Sequence, residues 1–326
     1  MNANPRLLAP RPGLLFVSVS AILWGTVGIA TQAIYRQSDL TAVAIGFYRL
    51  AFAFPVVAFL CWKVVGRGIF QVSARQYWKM ALIGVMLALY QVFYFSAISH
   101  VGVAIATLVT LCTAPVLVSL VSVVVLKERL TVYTVIALVA ALLGTALLVG
   151  MPASASVQGN AILGVGLALG SATGYAIVAL MGRAIANTCH PLHSTMISFG
   201  TGAIFLFPLA ATNIFAASYT NQVWGLILYV GMLPTAVAYL LFFLGMRSIR
   251  ASTASILTML EPLTATILAW LIFDERLAPA GFIGALLLLA AMAVLYHGEK
   301  TLKNSHKEAD FMPARISQPG KKAPDC

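Results

Sequence analysis

The chain has 326 residues, of which 61% are hydrophobic and 9% charged, with a mean hydropathy of +0.95. Charged residues make up about a quarter of an ordinary soluble domain, so this composition excludes one and requires an integral membrane protein. The formal charge of +11 raises nucleic acid as a partner, but the placement of the basic residues accounts for the charge without it.

Residues 1–13, which include MNANPRLLAPRP, form a short basic segment. No small-residue cleavage site follows the first apolar run, so the first helix is expected to serve as an uncleaved insertion signal. Outer-membrane barrels need alternating strands of about ten residues, and none is present, so the spans are helices. Windows of about 19 residues place helices near 14–34, 41–62, 79–98, 103–126, 131–149, 161–183, 194–215, 222–245, 251–272 and 278–297. Turn or charge signals separate them, among them His100 to Gly102 and Met151 to Asn160. With the N-terminus inside, all 20 Lys and Arg residues except Arg36, Arg276 and the intramembrane Arg49 lie on the inner side or in the tail. That bias puts both termini in the cytoplasm and the positive charge beside the anionic leaflet. The tail, 298–326, is polar and proline-containing and is expected to be disordered.

The chain repeats itself. Pro115 matches Pro262 and Glu128-Arg129-Leu130 matches Glu275-Arg276-Leu277, both at an offset of 147. YFSAIS at 94–99 lies over FFLGMR at 242–247 at an offset of 148, and the run from Ser20 to Gly25 lies over the run from Ser171 to Ala176. The expected architecture is therefore an all-α membrane protein of ten transmembrane helices in two five-helix repeats, 14–150 and 161–297, joined by an external linker at 151–160. Five is odd, so the second repeat is inverted relative to the first. Inverted repeats are the architecture of secondary transporters, whose binding sites lie near the midplane between the halves.

This pattern resembles the drug/metabolite transporter superfamily, in its EamA-type branch of bacterial exporters. The resemblance is carried by ten helices in two halves, the Ser20-Ala21-x-x-Trp24-Gly25 run, the Ala114-Pro115 and Glu261-Pro262 pairs, and the two Glu-Arg-Leu turns. It covers about 14 to 297 and is greatest for aromatic amino-acid exporters. It implies export of amino acids, purines, drugs or other metabolites from the bacterial inner membrane, by proton exchange or as a facilitator. The chain departs from perfect symmetry: Ala114 stands where the second half has Glu261, and Lys127 where it has Asp274.

Candidate site residues concentrate in ASTASILTMLEPLTATILAWLIFDERL, 251–277. Ser252, Ser255, Thr258 and Glu261 recur every third residue and share a helix face, ending in a carboxylate about 15 Å into the span at roughly 1.5 Å per residue. An intramembrane acid marks a functional site by default, here as a group that takes and releases a proton. The plainer alternative is a structural carboxyl that joins helices. Arg49, about 12 Å deep at about 1.5 Å per residue, has two readings: a partner for Glu261 or a cargo carboxylate, or a side chain satisfied by backbone carbonyls. Trp24, Tyr90, Tyr94, Tyr175 and Tyr239 would together line an amphipathic pocket, although packing explains any one of them. Pro115 and Pro262 are candidate hinges or static bends. With Arg49 the one deep cation, phosphorylated cargo is disfavoured.

Cys61, Cys112, Cys189 and Cys326 lack metal-ligand spacing, no histidine falls mid-span beside an acid, and no nucleotide-binding loop occurs. No cofactor and no metal are expected. The expected partners are a small-molecule cargo, the lipid bilayer and protons, without nucleic acid, in a monomer or weak homo-oligomer. Two alternatives are a broad drug or organic-cation exporter and a membrane-embedded enzyme. The enzyme would need a second acid, a histidine or a metal cluster at depth, which the sequence lacks.

Overall fold

A computed structural model describes residues 10–66, 72–128, 130–149, 160–214, 219–273 and 279–311. The first half comprises α1 (Pro10–Tyr35), α2 (Ala42–Val65), α3 (Ala74–Val125) and α4 (Val132–Val149). The second comprises α5 (Ala161–Ile185), α6 (Pro191–Ile214), α7 (Asn221–Gly231), a π-helical segment (Met232–Val237), α8 (Ala238–Gly245), α9 (Ala251–Leu257), α10 (Leu260–Phe273) and α11 (Pro279–Phe311). Among the described residues 9 helical stretches are long and apolar enough to cross a membrane, and Val132–Leu148 is a shorter tenth. Each half thus has five spans, so the halves run with opposite polarity. Large apolar side chains such as Ile162, Ile204, Val124 and Leu271 are exposed, as a lipid-facing surface requires.

The expected break at His100 to Gly102 takes the form of a bend inside a continuous helix. α3 is helical over 52 residues, yet the hydroxyls of Tyr94 and Thr107 lie 2.6 Å apart. On a straight helix those positions would stand about 20 Å apart, so α3 doubles back between them and carries two spans, Ala74–Tyr94 and Ile105–Val125. No proline falls in that interval to remove a backbone donor, which is why helical bonding persists through the turn. Both arms pack on α5. Gly170 and Gly174 bring its backbone against Phe93 and Tyr90, and Thr110 donates a hydrogen bond to the Ala168 carbonyl at 3.2 Å.

The repeat reappears in three dimensions. α5 packs against α3, and its first-half counterpart α1 packs against the segments from α7 to α10; α2 meets α6 and α4 meets α11. One pair of hydrogen bonds shows the correspondence at atomic scale. Ser20 donates to the Ala238 carbonyl at 2.8 Å, and its repeat partner Ser171 donates to the Tyr90 carbonyl at 2.9 Å. Tyr90 is itself the position matched to Ala238 at the offset of 148. A serine that bridges to a neighbouring helix satisfies a hydroxyl that lipid would leave unpartnered.

Two departures from regular helix occur in the second half. Around Pro234 the backbone forms the π segment, in which the Thr235 hydroxyl donates to the Val230 carbonyl at 2.7 Å. Between α9 and α10 the helix is interrupted at Thr258 and Met259. Pro262 has no N–H for the Thr258 carbonyl four residues back, and that carbonyl instead accepts from the Glu261 amide at 2.9 Å. At the C-terminal end, α11 runs past residue 297 to Phe311, into the segment expected to be a disordered tail. Between residues 299 and 311 the chain has no Gly or Pro to stop a helix, and Pro313 follows. The rest of that tail, the 1–9 segment and most of the 151–160 linker lie outside the described residues.

Candidate functional site

Glu261 sits in the first turn of α10, just past the interruption that Pro262 enforces. The interruption turns the chain so that Glu261 departs from the fully buried run of Ala251 to Met259 and keeps partial solvent access. Gly25 allows α1 to lie close beside it: a Cβ there would come within 2.7 Å of the Glu261 carbonyl and 2.6 Å of Thr264. Among the described residues no donor bonds the Glu261 carboxylate, and none of the ion pairs includes it.

Arg49 approaches from α2. It is 8% exposed, and its Nε donates to the Thr235 hydroxyl at 3.1 Å. The π segment makes this contact, because the Thr235 hydroxyl, anchored on Val230, presents its lone pair to the guanidinium. Among the described residues only this edge of the guanidinium makes a hydrogen bond. Its charge reaches Glu261 without a direct ion pair among the described residues.

Tyrosines gather around these two groups. The Tyr90 and Tyr239 hydroxyls share a hydrogen bond at 2.7 Å. Tyr175 donates to the Thr258 hydroxyl at 3.1 Å, and its ring meets that of Tyr90 edge-on at 6.1 Å. Glu261 acts electrostatically on Tyr90, Tyr94 and Tyr175, and Arg49 acts on Tyr90 and Tyr239. The structure therefore brings together Arg49, Tyr90, Tyr94, Tyr175, Tyr239, Thr258 and Glu261 from both halves.

The remaining candidates pack around these groups. Trp24 is 6% exposed and packs behind Tyr239 and Phe242, at 4.8 and 5.2 Å between ring centroids. Its ring nitrogen is buried without a partner. Ser252 and Ser255 are fully buried; Ser255 donates to the Ser252 carbonyl at 2.9 Å. The stripe is thus a buried face of α9 in its first two members, and at Thr258 it meets the Tyr175 hydroxyl. Pro115 is buried in unbroken helix, whereas Pro262 accompanies a real interruption. Thr235 was not singled out by the sequence reading; its signal was the Pro234-Thr235 pair inside an apolar span, since a proline frees backbone groups that a neighbouring threonine can satisfy. Among the described residues no group of three His, Cys, Asp or Glu side chains gathers as a metal site.

Ten spans in two halves of opposite polarity, with an interrupted helix in the second, define the class of a membrane transporter built from inverted repeats. The model of the EamA-like transporter family matches residues 11–150 and again 162–297, and the chain belongs to that family, within the drug/metabolite transporter superfamily. Its relatives include YwfM, an uncharacterised transporter of Bacillus subtilis (strain 168), 30% identical over 90% of this chain and 97% of the relative. YicL, an uncharacterised inner membrane transporter of Salmonella typhimurium (strain LT2), is 25% identical over 87% and 95%. A solved crystal structure superposes with a TM-score of 0.75 at 20% identity, covering 89% of this chain and 98% of the other, which is a likeness of fold.

Proposed function

We propose that this protein exports small amphipathic metabolites across a bacterial inner membrane, amino acids with aromatic or other apolar side chains foremost, by alternating access of its two halves. What supports this reading is that Arg49 and Glu261, one fixed cation and one acid, lie within electrostatic reach of each other and of Tyr90 without an ion pair; the cargo gap of this proposal lies between them. A zwitterion offers a carboxylate to the first and an ammonium to the second, and an apolar side chain finds ring faces. Glu261 also offers a place for a proton when the cargo has left, which supports coupling to a proton gradient. The distribution of Lys and Arg supports cytoplasmic termini and outward movement of cargo.

The test is transport of a panel of labelled compounds by the purified protein in proteoliposomes: aromatic, aliphatic and charged amino acids, and lipophilic cations. The proposal expects aromatic and large apolar amino acids to move fastest. Movement of lipophilic cations with no amino acid would replace it with the drug-exporter reading.

A further inference from the structure

At the end of the bundle where α3 turns into α4, three chain segments meet on one carboxylate, and Arg183 ties in a fourth. Glu128 Oε1 accepts from Arg183 Nε at 3.1 Å, and the backbone amide of Ala251, at the start of α9, donates to both Oε1 and Oε2 at 3.3 and 3.1 Å. Arg183 uses a second nitrogen, Nη1, to donate to the Met246 carbonyl at the end of α8, at 2.9 Å. The first half supplies Glu128; the second supplies everything that holds it. Glu128 and Arg183 are 9% and 23% exposed, so solvent screens the pair little.

The backbone is bent to make this contact. Lys127, immediately before Glu128, has φ of +53° in the left-handed region, where a lysine is strained and glycine is the usual choice. The Glu128 amide folds back onto the Ser122 carbonyl at 3.1 Å, which swings the carboxylate across to the second half. Local strain held by surrounding contacts is characteristic of switch regions.

We infer that Glu128, Arg183 and the Ala251 amide form a latch that closes the bundle at this end and must open for cargo to reach Glu261 from that side. The inference rests on the alternating-access reading above. Every residue from Ala251 to Met259 is buried while the latch is made, so α9 offers no path from this end to the gap. The repeat adds a bias. At the offsets of 147 and 151 the positions matched to Glu128 and Arg183 are Glu275 and Gln32, a carboxylate and a neutral amide. An Arg–carboxylate pair adds an attraction of opposite charges that a carboxylate–amide pair lacks, so closure at the Glu128 end is the favoured resting state.

The experiment uses the full chain with its native cysteines replaced and Ser255→Cys as a reporter, labelled by a membrane-impermeant maleimide from each face of sealed vesicles. Arg183→Gln and Glu128→Gln should label severalfold faster from the Glu128 end than the parent with the latch intact, and Arg183→Lys should restore much of the protection. Ala251→Pro removes only the amide donor, at a first helical position where proline is tolerated and after an extended Arg250; it should raise labelling by less than Arg183→Gln. Labelling at the parent rate in the variants that fold overturns the latch. Failure of all of them to fold also overturns it, because the contact is then a fixed joint and not a gate. Labelling needs no cargo, so an error in the cargo assignment leaves this result intact.

Discussion

The stretch before Pro115 and the stretch before Pro262 occupy matching places in the two halves, and their backbones differ. At Pro115 the helix runs on without interruption, with Ala114 beside it. At Pro262 it breaks into α9 and α10, and the residue beside the proline is Glu261. The same contrast recurs one helix earlier: Pro234 and Thr235 build the π segment that holds Arg49, while their matches at the offset of 148, Met86 and Leu87, lie in regular α3. Pro55 and Pro208 place Gly202 opposite Arg49, and Gly202 is pressed against Leu50 and Gly84 so closely that a Cβ would fall 2.8 Å from one and 2.9 Å from the other. The scaffold is symmetric and the site is not. Symmetry supplies two elements able to rock against each other; the irregular backbone and both charges lie where one half has diverged.

Each side of this contrast is open to mutation. The largest expected effect is at the charge with no counterpart: Arg49→Leu should raise the cargo concentration for half-maximal transport roughly a hundredfold, as the loss of a desolvated charge contact of about 3 kcal/mol implies. Concentration-dependent uptake in proteoliposomes measures it, and unchanged uptake would reduce Arg49 to a structural role. Next come the prolines. Pro262→Ala gives the Thr258 carbonyl the N–H it lacks and should stabilise the helix by about 1 kcal/mol while slowing transport severalfold. Pro115→Ala should raise Tm similarly and leave the transport rate alone; equal slowing by both would erase the distinction drawn between the halves. The smallest effect belongs to the shared scaffold. Ser20→Ala and Ser171→Ala should each cost about 0.6 kcal/mol, the average for such bonds in membranes, and should lower Tm alike.

Much of this was legible in the sequence because membranes restrict the choices. Apolar runs and the Lys and Arg distribution gave the spans, and the offsets of Pro115 to Pro262 and Ser20 to Ser171 gave the repeat that the matched serine bonds display. Glu261 stood out because an intramembrane acid is rare. What the sequence hid depends on how segments meet. The break at His100 to Gly102 was visible, but hydropathy does not record that helical bonding continues through it. Trp24 and Ser252 have the composition of a pocket wall and the location of a core, which only packing against Tyr239 and the depth of α9 decide. Glu128 was visible as a repeat marker, but its contact with Ala251 spans 123 positions of chain.

The central claim is that Glu261 looks into the gap and exchanges its proton with the cargo. The direct measurement is accumulation of a labelled aromatic amino acid in proteoliposomes with and without a pH gradient, comparing the native protein with Glu261→Gln. The account predicts that the gradient drives accumulation in the native protein alone, with Glu261→Gln reduced to equilibration. An equal response to the gradient in both proteins would contradict it.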